Sequence, residues 1–93
     1  MKDEQEDKHR RKAVALRYDA QKDAAPVVKA KGAGYVADRI MELANEHDIP
    51  IQEDRDLTEI LSKLDTGTPI PESLYKAVAE ILAFVYALNK KHA

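Results

Sequence analysis

The sequence predicts an α/β fold, a small mixed β-sheet of three to four strands packed against about three to four helices. Three observations carry this. Two short runs, 13–18 and 27–31, have strand character. Gly32-Ala33-Gly34 then hands the second run to an amphipathic helix. The run from Leu74 to Leu88, behind Pro69-Ile70-Pro71, is apolar nearly all round except for Glu80. A chain of 93 residues supports one modest core and not two.

Residues 1–12 alternate acidic and basic groups, with Glu4/Lys8, Glu6/Arg10 and Asp7/Arg11 at i,i+4 spacing. Nothing apolar is available to dock them, so they are expected to form a charged arm ahead of a domain over 13–90, with 91–93 a short tail. Val14, Leu16 and Tyr18 alternate with Ala and Arg, the period-two pattern of a strand with one buried face. Pro26 leads into a second strand on which Lys29 and Lys31 share a face.

In the helix that follows, Val36, Ile40, Leu43, Ala44 and His47 are assigned to the inner stripe. Ile49-Pro50-Ile51 is expected to be a very short third strand, parallel to the second through a right-handed crossover. Asp56 with Glu59 reads as a capping box, opening a short helix with Leu57, Ile60, Leu61 and Leu64 on its buried edge. Asp65-Thr66-Gly67-Thr68 is a turn. Pro71 suits a first helical turn, and Lys90, Lys91 and His92 suit the negative end of the last helix.

Composition excludes several kinds of chemistry. Without cysteine there is no disulfide, thiolate ligand or cysteine nucleophile. His9, His47 and His92 lack the spacing that offers two imidazoles to one metal, so no metal or cofactor is expected. Ser62 and Ser73 lack the exposing turn of a serine nucleophile. Gly32-Ala33-Gly34 is half of a phosphate-cradling loop at most, and reads as a tight strand-to-helix turn.

The basic cluster Lys8–Lys12 directly follows acidic residues that would repel a nucleic-acid backbone, and the net charge is −2. No nucleic-acid partner is expected. Glu80 has no partner acid one or two turns away, and Tyr75 and Tyr86 read as core-edge residues, so no catalytic residue is assigned. The apolar run is shorter than the roughly 20 residues that span a bilayer, and the N-terminus lacks the apolar stretch of a secretory signal. The expectation is a cytoplasmic protein without direct membrane insertion.

Four co-linear segments, Ala13–Asp19, Ala25–Gly34, Ile49–Ile51 and Ile70–Glu80, resemble the cytoplasmic domain of the flagellar type III export protein FlhB and its relatives in virulence secretion. Self-cleaving relatives carry Asn-Pro-Thr-His just ahead of the first strand, where the Asn amide cyclises onto its own carbonyl. Lys8-His9-Arg10-Arg11 stand there in this chain, and no Asn precedes Asn45, so that route is closed. The family's membrane-spanning part has no counterpart in these residues, and the chain therefore resembles the released fragment made as a separate protein.

The resemblance implies a non-enzymatic accessory of flagellar or type III export. Its partners would be export cargo, chaperones, export-gate proteins or the membrane-bound half of a full-length FlhB, met at the inner face of the membrane. It maps a cargo-binding patch to Ala25, Pro26, Ala79 and Leu82. A missing strand in front of the first one implies a strand-pairing edge at Val14, Leu16 and Tyr18. The alternative is a structural or regulatory module acting through homodimerisation, without an export role.

Overall fold

A computed structural model describes residues 11–19 and 21–92, with side chains described through residue 83. Its elements are β1 (Lys12–Arg17), β2 (Val27–Ala33), α1 (Tyr35–Glu46), α2 (Arg55–Leu61), a 3-10 turn (Glu72–Leu74) and α3 (Tyr75–His92). The class is α/β, as the strand and helix patterns predict. The charged arm falls outside the described residues except for Arg11 and Lys12, and Lys12 already belongs to β1. His9 and the side chains of Tyr86 and His92 also lie outside them.

β1 and β2 form an antiparallel hairpin that pairs Lys12 with Ala33, Val14 with Lys31 and Leu16 with Val28. The register shifts between Ala15 and Leu16, leaving Lys29 as the extra residue of a bulge. This single insertion brings Val28 and Lys31 to the same face, and Lys29 and Lys31 do not share one as the unbroken alternation suggested. Lys31 Nζ instead donates to the Ser62 carbonyl at 3.1 Å, at the C-terminal end of α2.

The two faces of the hairpin differ in side-chain volume. Ala13, Ala15, Ala30 and Gly32 present a shallow surface to α1, whose Ala37 is fully buried. Gly32 permits the closest approach: a Cβ there would lie 2.1 Å from Val36 Cγ1. Gly34 starts α1 at φ 60°, a conformation that favours glycine, and its N–H donates to the Arg11 carbonyl at 2.8 Å. On the opposite face Val28, Leu57, Leu61, Ile70 and Val78 form the main core, with Val14, Leu16, Leu64, Leu74, Ile81 and Leu82 packed around it. The layers are thus α1, the hairpin, and α2 with α3.

Several expectations are corrected. The inner side of α1 carries Ala37, Ile40, Met41 and Ala44, whereas Val36 is 55% exposed and Leu43 and His47 also face water. The i,i+3,i+4,i+7 set is rotated because a floor of small residues accepts Ala37 in its centre. Among the described residues the sheet has two strands, and 49–51 is not a third. Ile49 and Ile51 are 56% and 47% exposed.

The edge of β2 is instead taken by residues 67–70. The Gly67 N–H donates to the Val28 carbonyl, the Val28 N–H to Thr68, and the Ile70 N–H to Pro26, at 2.7, 3.0 and 2.9 Å. Asp54, not Asp56, caps α2, its carboxylate accepting from the Leu57 N–H at 3.0 Å. Ile60 is exposed rather than buried. No helix among the described residues is long and apolar enough to cross a membrane.

Candidate partner-binding groove

The chain leaving β1 is knotted before it enters β2. The Asp19 carbonyl accepts from the Lys22 and Asp23 N–H groups at 3.0 and 2.7 Å, and its carboxylate accepts from the Gln21 N–H at 3.0 Å. Asp23 returns the contact by accepting from the Asp19 N–H at 3.0 Å. Arg17, the last residue of β1, donates to both Asp23 oxygens at 3.1 and 3.3 Å. This guanidinium and the Asp19 amide hold the pKa of the Asp23 carboxyl below its ordinary value.

Beyond the knot, Ala25 is buried and the Pro26 carbonyl is bonded to Ile70. Across from this wall runs α3, which presents Tyr75, Ala79 and Leu82 at i, i+4 and i+7. Tyr18, Ala24, Ala25, Pro26, Tyr75, Ala79 and Leu82 line an open groove of about 280 Å³. None of the seven carries a charge. Their side-chain polar atoms are two phenol oxygens, on Tyr18 and Tyr75, which are 47% and 41% exposed at the rim. The small side chains of Ala24, Ala25 and Ala79 make the depression, and the groove offers apolar area with hydroxyls at its margin.

The structure brings Ala25, Pro26, Ala79 and Leu82 together in this groove. Leu82 also touches the core, while Ala79 is exposed. Of the three residues assigned to a pairing edge, Val14 and Leu16 lie in β1 with side chains against the core. Tyr18 follows the strand and belongs to the groove rim. Among the described residues, β1 pairs with β2 alone, and its outer backbone edge receives no strand.

Sequence reasoning missed Tyr18, Ala24 and Tyr75 as groove residues. The signal available was the Tyr75/Ala79/Leu82 spacing on one helix face. No group of three or more His, Asp or Glu able to hold a metal occurs among the described residues. Ser62 Oγ donates to the Glu59 carbonyl at 2.7 Å, and Glu80 is exposed.

This arrangement is also the fold of the PscU and EscU/SpaS C-terminal domains. The PscU C-terminal domain matches with a TM-score of 0.75 at 28% identity, over 78% of this chain and 94% of that one. A mutated EscU/SpaS C-terminal domain matches with a TM-score of 0.77 at 29% identity, over 81% and 92%. The chain belongs to the FlhB HrpN YscU SpaS family, whose model matches residues 10–85. YlqH of Bacillus subtilis (strain 168) is 54% identical over 80 residues, 86% of each chain. The flagellar biosynthetic protein FlhB of Yersinia enterocolitica is 52% identical over 79 residues, 84% of this chain and 21% of that protein. The chain thus spans about a fifth of that FlhB and most of YlqH.

Proposed function

We propose that this protein is a non-enzymatic component of bacterial flagellar or type III protein export, working in the cytoplasm at the inner face of the membrane. Its groove takes an apolar side chain from an extended segment of an export cargo, a chaperone or an export-apparatus protein. The single observation that supports this most is the uncharged groove between the Tyr18–Pro26 wall and α3, in a chain of the FlhB family. Burying one aliphatic or aromatic side chain there contributes about 1.5–3 kcal/mol, the scale of a transient and reversible contact.

Self-cleavage has no place in this function. Lys8 lacks the carboxamide that cyclises in cleaving relatives, and none of the residues before Asn45 is an asparagine. The test is pairwise binding of purified export substrates and chaperones from a flagellated host to wild-type protein, Pro26→Ser and Leu82→Ser. Binding by the wild type that both variants lose, with their far-ultraviolet spectra intact, is the expected result. Undiminished binding by two folded variants removes the groove from the account.

A second contact is favoured by the outer edge of β1, which pairs with no further strand among the described residues and whose N–H and C=O groups can receive an added strand. The membrane-bound half of a full-length FlhB is the proposed donor. Deuterium exchange of the 13–17 amides should slow when that half binds. Unchanged protection on a demonstrated complex excludes strand addition.

A further inference from the structure

We infer that Arg17 and Asp23 are positioning residues of the groove: their two-bond pair, locked by the Asp19 amide, sets the Tyr18–Pro26 wall at its distance from α3. This deepens the groove reading and rests on it.

Four of the seven lining residues, Tyr18, Ala24, Ala25 and Pro26, lie in the connection between β1 and β2, outside any helix or strand. A connection of this length has many closed conformations, and anchors must select one. At its far end the anchors are the burial of Ala25 and the Pro26–Ile70 hydrogen bond. At its near end the anchor is the Asp19/Asp23 knot, which flanks Ala24 on one side and follows Tyr18 on the other.

Asp23 is the centre of that knot. Its side chain is only 9% exposed, with Oδ1 accepting from Arg17 Nη2 and Oδ2 accepting from both Arg17 Nε and the Asp19 N–H. Arg17 in turn is held by the hairpin, where it pairs with Val27 next to Pro26. The fork of the guanidinium therefore transmits the rigid register of the hairpin to the loop. A lysine, as a point charge, cannot meet both oxygens in one fixed plane. The charged groups facing Asp23 are Arg17 from β1 and Lys22 and Asp19 from the loop itself.

The experiment uses the whole chain and two named probes, N-acetyl-leucinamide and N-acetyl-phenylalaninamide, followed by NMR at the Ala24, Ala25 and Ala79 amides. If loss of the pair lowers the closed wall to about a tenth of the population, apparent Kd rises about tenfold. Arg17→Ala and Asp23→Ala should each show that rise, and the double variant should be no weaker than Asp23→Ala. Asp23→Asn, which keeps an acceptor for the Asp19 N–H, and Arg17→Lys should fall between. Lys22→Ala should bind as wild type.

The Ala24 and Ala25 methyl shifts should move in the Ala variants while those of Val28 and Val78 stay, separating positioning from loss of fold. Wild-type affinity and unmoved Ala24 and Ala25 methyls in Arg17→Ala and Asp23→Ala overturn the inference. If Asp23→Ala does not fold, Asp23→Asn and Arg17→Lys make the same comparison. Absence of probe binding by wild type sinks the groove reading separately, and the Ala24 and Ala25 shifts then decide the positioning role by themselves.

Discussion

Replacing Gly32 by alanine should loosen the layer between the hairpin and α1, by an amount that follows from one contact. The added Cβ would lie 2.1 Å from Val36 Cγ1, 2.7 Å from Val36 Cβ and 3.3 Å from the Val36 carbonyl carbon. A new rotamer of Val36 relieves only the first of these. The second demands that α1 retreat by about 1 Å to reach ordinary carbon contact, which would unseat Ala37, a residue with no exposed surface.

Overpacking of this kind costs about 1–3 kcal/mol, and removing a strand glycine returns about 0.5–1 kcal/mol. The net expectation is a loss of about 1–2 kcal/mol. For a domain of this size that corresponds to a drop in Tm of about 5–10 °C. Val36→Ala alone should change little, because the side chain is more than half exposed and alanine favours the helix. Combined with Gly32→Ala it removes the Cγ1 contact, so the double variant should be more stable than the sum of the singles by about 0.5 kcal/mol or more. Thermal and urea unfolding of the four proteins measure this cycle. An unchanged Tm for Gly32→Ala, or strict additivity, would refute the close-approach account of α1.

Three further outcomes are expected. Asp48 closes α1 at φ 56°, with its N–H donating to Asn45 and the Ile49 N–H to Ala44. Asp48→Gly should therefore raise stability by about 0.5–1 kcal/mol in urea unfolding, by easing the left-handed backbone and removing an anion from the negative helix end. Asp54→Ala should cost about 1 kcal/mol and Asp56→Ala much less, a contrast that equilibrium unfolding resolves because only Asp54 caps α2.

The third outcome concerns acid. Asp23 is held below its ordinary value of 3.8, first by its hydrogen bond to Arg17, and Glu59 below 4.5, first by Lys12. Carboxylates depressed in the folded state add stability that is fully present above those ordinary values. It is lost as pH falls through the lowered ones. Carboxyl-carbon NMR should show both groups titrating below the ordinary values, and the loss of stability below pH 4.5 should shrink in Asp23→Asn.

Both hairpin strands were legible because Val14 and Leu16 alternate with small or charged neighbours and Pro26 marks where the second begins. The last helix was legible from its unbroken apolar run. The missing third strand was not, since Ile49 and Ile51 look like strand residues, and only the backbone bonds from residues 67–70 reveal that the edge of β2 at 26–28 is occupied. The inner stripe of α1 was misassigned because hydropathy favours Val36 and Leu43, whereas the floor made by Ala13, Ala15, Ala30 and Gly32 selects the small Ala37.

Choosing between Asp54 and Asp56 as the cap needed the helix boundary itself. At the groove, Ala25, Pro26, Ala79 and Leu82 came from family resemblance and not from any local pattern. Tyr18 and Ala24 join them through the loop knot, a pairing of Arg17 with Asp23 across six positions that no periodicity announces.

Site-specific photo-crosslinking in flagellated cells tests the central claim most directly. A benzophenone side chain is placed at Tyr75, on the groove rim, or at Val36, exposed on the opposite face of the hairpin. The groove account predicts that export substrates, chaperones or export-apparatus proteins are captured from position 75 and not from position 36. Identical products from both positions, or none of these proteins from position 75, would contradict it.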